Sequence, residues 1–179
     1  MRLSCEPPWK RKPQRPRIGE RAGIRKPATT MNEPDRPDPP LRQSSTTLGI
    51  DTPGRGLHEI TRPVASWARG VGLRSGVLTM FCRHTSASLL IQENADPEVR
   101  ADLERFFARL VADGDPLFRH RDEGPDDMPA HVRAALTATQ LSVPIVDGAL
   151  ALGTWQGIYL WEHRLRPHRR EVALHLIGN

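Results

Sequence analysis

Nine of the chain's 17 prolines fall within its first 40 residues, and that clustering limits where a folded unit can form. Proline fixes φ and lacks an amide hydrogen, so it interrupts helix and strand ladders alike. Residues 1–43 are therefore expected to be a disordered Arg/Pro-rich tail. Charge follows the same division. Residues 1–30 carry nine Lys and Arg against two Asp and Glu, whereas residues 31–179 carry 17 against 19. The basic pI belongs to the tail, and the folding unit is slightly acidic. All three lysines (Lys10, Lys12, Lys26) lie in that tail, and a translation start at Met31 would remove the whole basic block. The folding unit is expected at 44–179, roughly 135 residues, a size able to bury one core.

Two cysteines, Cys5 and Cys82, are too few for a disulfide framework or a Cys-type zinc site. A reducing compartment fits. No apolar run approaches the roughly 18 residues needed to span a bilayer, and the start MRLSCEPPWK breaks into prolines where a secretory signal needs an apolar stretch. The expectation is a cytoplasmic protein with no membrane partner. Nucleic-acid binding through the tail and Arg164, Arg166, Arg169 and Arg170 is the weakest functional reading, because the folding unit has no aromatic-rich basic face. Those four arginines read more simply as a solvated turn tip.

From Ser44 strand-like and helix-like segments alternate without internal repeat. Residues 44–51 read as a strand ended by Pro53-Gly54, and Thr61 as the cap of a short helix through Trp67 that ends near Gly70 and Gly72. The run VLTMFCRHTSASLLIQE (77–93) is apolar on both faces, as one bent strand or two successive buried ones would be. Asp96-Pro97 supplies an N-cap and a first-turn proline, and Val99, Leu103, Phe106, Phe107 and Leu110 repeat at the spacing of one helical face, predicting a helix over about 97–112. A loop rich in acid and proline follows. A shorter helix then starts near Pro129, capped by Asp127 or its neighbour, with Val132, Ala135 and Leu136 inward. Three closing strands come last, over LSVPIVDG, ALALGTWQGIYLWEH and REVALHLIG, the final two joined by a hairpin-like RLRPH. Strands outnumber helices and the connections are mixed, so the predicted class is α+β.

The chain has no GxGxxG, phosphate-loop lysine, CxxC or GxSxG, so nucleotide-binding and common hydrolase templates lack support. Histidine and carboxylate remain. His84 ends a buried run, and His120 and His131 bracket HRDEGPDDMPAH. Three imidazoles leave coordination positions open for water or substrate, as a catalytic metal requires. The spacing permits a metal and does not demand one. His131 shares a helical face with Ala135 and should point inward. Strand alternation sets Thr154, Gln156 and Glu162 on one face, like a pocket wall, and Trp155, Tyr159, Trp161 and His163 on the other. Glu93 and Asn94 lie between a buried strand and a helix, where polar groups gather around ligands. Asp96 is explained by capping alone. Asp122, Glu123, Asp126 and Asp127 suit a solvated loop, with one of them able to orient a ligating histidine. Arg83 and Arg119 adjoin proposed ligands and are the phosphate candidates, although alternation can turn Arg83 away.

The segments RHTSASLLIQENADPEV (83–99), DGDPLFRHRDEGPDDMPAHVRAAL (113–136) and LSVPIVDGALALGTWQGIYLWEH (141–163) closely resemble the YjbQ-like family, known as secondary thiamine-phosphate synthases. The likeness covers nearly all of 44–179 and none of 1–40. It implies a compact, sandwich-like α+β fold with a large mixed or antiparallel sheet and two to three helices, usually as a homotrimer with sites near subunit contacts. It also implies a divalent metal, zinc, at His84, His120 and His131, and it brings Asn94, Asp96, Thr154, Gln156 and Glu162 into the family motif. The implied activity is a secondary joining of hydroxymethylpyrimidine diphosphate to a thiazole phosphate with release of pyrophosphate. A metal-dependent hydrolase is the alternative, with Glu93 or Glu162 as general base, and a non-catalytic metal- or ligand-binding module is another.

Overall fold

The structure is a computed structural model and describes residues 40–179. Residues 1–39 of the expected tail, with the alternative start at Met31, lie outside the described residues. Eleven elements follow in order: β1 (Arg42–Thr52), β2 (Gly56–Glu59), α1 (Thr61–Val71), β3 (Gly76–Cys82), β4 (Ala87–Glu93), α2 (Pro97–Leu110), α3 (Asp127–Leu136), β5 (Gln140–Val146), β6 (Ala149–Leu150), β7 (Gln156–Glu162) and β8 (His168–Gly178). They form an α+β fold of three helices and two sheets. One sheet has the order β1-β8-β3-β5-β6 and the other β2-β7-β4. Every paired strand is antiparallel.

The run 77–93 is two strands, one in each sheet. Leu78, Met80 and Cys82 of β3, with Val172, Leu174 and Leu176 of β8, bury the alternate positions of the larger sheet. They share one core with Leu89 of β4, Ile158 and Leu160 of β7, and Val64 and Ala68 of α1. After α3 the chain stitches the sheets together: Cys82 N–H donates to Thr139 O and Leu89 N–H to Ala138 O. Arg42 and Gln43, assigned to the tail from composition, are the first residues of β1 and pair with Gly178 and Ile177.

Four local expectations need correction. Ile60, not Thr61, is the N-cap of α1; the Thr61 hydroxyl donates to Glu59 Oε1 and accepts from Ile158 N–H, tying the helix start to β7. The helix runs past Trp67 and through Gly70 to Val71, and of the two glycines expected near its end Gly72 is the C-cap, left-handed at φ 74°. In α2, Asp96 caps as expected by accepting from Glu98 N–H at 2.8 Å, but the helix buries no residue fully and leaves Phe106 and Leu110 more than half exposed. Of the predicted apolar row, Val99, Leu103 and Phe107 are half-buried, and Phe107 meets Trp161 edge to face at 4.7 Å. In α3 the buried stripe is Ala130, Arg133 and Ala134, whereas Ala135 and Leu136 are exposed. An arginine in the core position hid the true phase. Finally, RLRPH is not a hairpin. β7 and β8 belong to different sheets, so this segment crosses between them; Arg164 within it and Arg170 of β8 are buried, whereas Arg166 and Arg169 are exposed as expected.

Candidate metal centre

The loop between α2 and α3 closes on itself, with Gly114 N–H donating to Pro125 O. Gly114 and Gly124 adopt φ of 72° and 110° there, conformations that side chains with a Cβ disfavour. This brings His120 against the start of α3. Asp127 opens that helix and His131 follows one turn later, so the two share a face. The Nε2 of His120 lies 2.8 Å from Asp127 Oδ2, and that of His131 lies 3.5 Å from the same oxygen. One donor atom from each of the three residues lies within 4.8 Å of the others. Two imidazoles and a carboxylate are a donor set suited to zinc or a similar divalent ion. The His131 ring is already oriented for it. Its Nδ1–H donates to Thr85 O at 3.0 Å, which leaves the lone pair on Nε2, toward Asp127 and His120.

Asp127 is only 2% exposed and is held from behind. Its Oδ1 pairs with Arg164, whose Nε donates to Asp126 Oδ2 at 3.0 Å and whose Nη2 donates to Glu123 O at 2.7 Å. Asp126 also accepts from Leu165 N–H. Burial pushes the Asp126 value up, but the Leu165 amide and the Arg164 guanidinium outweigh it and hold the carboxyl below its ordinary range. Asp127, read from sequence as a cap or an orienting group, is thus the third donor of the cluster. No composition signal marks it among four neighbouring acids.

His84 is placed differently from the expected triad. It lines a cavity of about 640 Å³ together with Phe81, Cys82, Arg83, Thr85, His131, Ala134, Ala135 and Thr139. Its Nε2 accepts from Glu171 N–H at 2.7 Å, so that nitrogen is unavailable to a metal in this conformation. Burial, then the Arg170 charge, lowers its value and favours the neutral ring. His131 and Ala135 do share a face, but it forms the wall of this cavity, not the core. Arg83 reaches the same wall because β3 ends at Cys82 and strict alternation stops there; it pairs with Glu171 at 2.8 Å. Arg119 is exposed beside His120, with no ion pair among the described residues. His120 lines a second cavity, of about 240 Å³, with Phe118, Arg121 and Met128.

The remaining candidates lie elsewhere. In the β4–β7 register Ala87 faces Glu162 and Glu93 faces Gln156, so the two ends are six residues, roughly 20 Å, apart. Asn94 N–H donates to Trp155 O, and Gln156 Oε1 accepts from Gly153 N–H. Glu93, Asn94, Asp96, Thr154 and Gln156 therefore gather at the end of the smaller sheet remote from Ala87 and Glu162. Glu162 is fully buried, and its carboxylate accepts from Arg170, Thr52 and Arg164 N–H. Burial raises its value, yet these donors, Arg170 foremost, hold it below the ordinary 4.5. Its oxygens are engaged and it has no exposed surface, so in this conformation Glu162 does not reach the water that the base of the hydrolase alternative must meet. His163 is also fully buried, with Nε2 2.9 Å from Ser88 Oγ.

A family model described as UPF0047 protein YjbQ-like matches residues 46–179. A UPF0047 protein of Synechocystis is 53% identical over 138 residues, which cover 77% of this chain and 94% of the relative. The YjbQ protein of Salmonella typhimurium is 41% identical over 133 residues, covering 74% and 96%. Among solved structures, a conserved hypothetical protein of Thermus thermophilus aligns with a TM-score of 0.64 at 35% identity over 72% of this chain and 97% of its own. A YbjQ-like protein of unknown function from Sulfolobus solfataricus shares the fold, with a TM-score of 0.68 at 20% identity over 77% and 100%. Among the described residues no helix is long and apolar enough to cross a membrane.

Proposed function

The chain belongs to the YjbQ-like UPF0047 family, and we propose that it is a cytoplasmic, metal-dependent enzyme acting on a small phosphorylated heterocycle, with thiamine-phosphate synthesis as its nearest activity. The observation that carries this reading is the convergence of His120, Asp127 and His131, with His131 also on the wall of the 640 Å³ cavity. Such a volume suits a small-molecule ligand. A bound divalent ion, zinc by donor chemistry, would act there as a Lewis acid toward phosphate oxygens.

Joining a pyrimidine methyl diphosphate to a thiazole phosphate forms a carbon–nitrogen bond and breaks the carbon–oxygen bond to pyrophosphate. The attacking ring nitrogen carries no hydrogen, so bond formation requires no general base. It requires positive charge near the departing anion. In the cavity that charge would come from Arg83, which also pairs with Glu171, and from a divalent ion held beside His131; no carboxylate lines the wall. Hydrolysis would instead need a base to activate water; Glu162 is fully buried, and within one chain Glu93 is not on this wall, so the hydrolase alternative requires Glu93 of a neighbouring subunit.

The proposal includes a homotrimer in which the remote Glu93, Asn94, Asp96, Thr154 and Gln156 cluster of one subunit completes the site of a neighbour. Support comes from the outer face of the larger sheet, where Val77, Phe81 and Ile177 are each over 40% exposed, with Phe81 also on the cavity wall. Light scattering should give three chains per particle. The test of function is multiple turnover of the two phosphorylated precursors, abolished by chelation and restored by zinc. Full turnover by chelated protein, or metal binding without any turnover, contradicts it, the latter in favour of a non-catalytic binding module.

A further inference from the structure

Arg164 is a long cation removed almost wholly from water, and a buried guanidinium persists only where its donors and charge are matched. Its partners all come from one stretch, 123–127, across the sheet-to-sheet crossing. Asp126 is consumed by this pairing, because its Oδ2 accepts both Arg164 Nε and Leu165 N–H. Glu123 contributes its backbone oxygen strongly, while its carboxylate, at 3.2 Å, is 69% exposed and adds little. Asp127 is divided: Oδ1 faces Arg164, and Oδ2 faces both His120 and His131. One buried cation thus stands against two buried carboxylates. One negative charge remains, and it is presented by an oxygen whose direction Arg164 fixes.

From this geometry we infer that Arg164 is the positioning residue of the metal centre: by anchoring Asp127 Oδ1 with a planar fork it aims Asp127 Oδ2 at the ion held with His120 and His131. This rests on the metal reading given above. It assigns to an arginine of the β7–β8 crossing a role in ion affinity, in addition to any role in holding the loop. Lysine cannot reproduce it, since a single ammonium cannot engage Asp126, Asp127 and the Glu123 carbonyl in one plane.

The experiment titrates Co²⁺ into metal-free full-length protein, reading affinity by calorimetry and coordination by visible absorption, with melting temperature as a fold control. Arg164→Gln is expected to weaken Co²⁺ binding by about 10–100-fold, the usual effect of losing an orienting partner, and to alter the absorption bands. Arg164→Lys should fall between it and the parent, and Arg169→Gln, an exposed residue of β8 paired with Asp51, should match the parent. A folded Arg164→Gln protein with unchanged affinity and spectrum overturns the inference. If Arg164→Gln does not fold, Arg164→Lys decides: parental affinity and spectrum overturn it, and weakened binding with altered bands supports it. Parental protein that binds no Co²⁺ overturns the metal reading itself, a result separate from the other two.

Discussion

Glu162→Gln separates a structural carboxylate from a catalytic one. The parent side chain is 0% exposed and meets Arg170, itself 4% exposed, at 2.5 and 2.6 Å. Removing one charge leaves the Arg170 guanidinium buried without its counter-ion, for which the expected cost is about 3–5 kcal/mol. In a domain of this size about 1 kcal/mol corresponds to roughly 3 °C, so the melting temperature should fall by about 10–15 °C. The double variant Glu162→Gln/Arg170→Met removes the stranded charge and should recover most of the loss, giving a coupling energy of about 2 kcal/mol or more. The pH dependence has a definite sign. Because the folded value lies below the ordinary 4.5, the contribution is complete above 4.5 and fades as pH falls through the depressed folded value. Thermal melts and turnover are measured on the same preparations. A variant that melts within about 3 °C of the parent while turnover collapses would refute the argument and return Glu162 to the role of base.

His163 shows a second pH dependence: burial, then the Arg133 charge, pushes its value from 6.5 to about 3. The unfolded chain takes up this proton near 6.5, so stability is full above that pH and declines toward pH 3. His163→Leu should flatten denaturant midpoints between pH 6.5 and 5, leaving the smaller slope due to His84; an unchanged slope counts against a buried neutral ring. Asp96→Ala should cost about 1 kcal/mol through loss of the α2 cap, read by urea unfolding, and a loss under about 0.3 kcal/mol would mean the cap is idle. Leu89→Ala, at a fully buried position facing both sheets, should cost about 2–5 kcal/mol, and a loss below about 1 kcal/mol would contradict the shared core.

What the sequence revealed, and what it concealed, follows from the range of the interactions involved. Asp96-Pro97 and Gly72 act within a few residues, so the start of α2 and the end of α1 were readable. The two-sided apolar run 77–93 was readable too, because both β3 and β4 face one core. The phase of α3 was not, since Arg133 and Asp127 occupy buried positions that hydrophobic periodicity assigns to aliphatics. Nor was the crossing at 164–168, where Arg164 is buried by Asp126 and Asp127, carboxylates distant in sequence. At the candidate site His120 and His131 were legible as a pair bracketing a loop. The selection of Asp127 among four acids, and the engagement of His84 by Glu171 N–H, depend on the fold bringing remote backbone together.

We propose that His120, Asp127 and His131 together hold one divalent ion. Elemental analysis of protein equilibrated with zinc and passed through a desalting column tests it directly. About one zinc per chain is expected in the parent and in Arg169→Gln, with loss of most of it in His120→Ala, Asp127→Asn and His131→Ala, each still folded by circular dichroism. Zinc retained in full by the three variants, or absent from the parent, would contradict it.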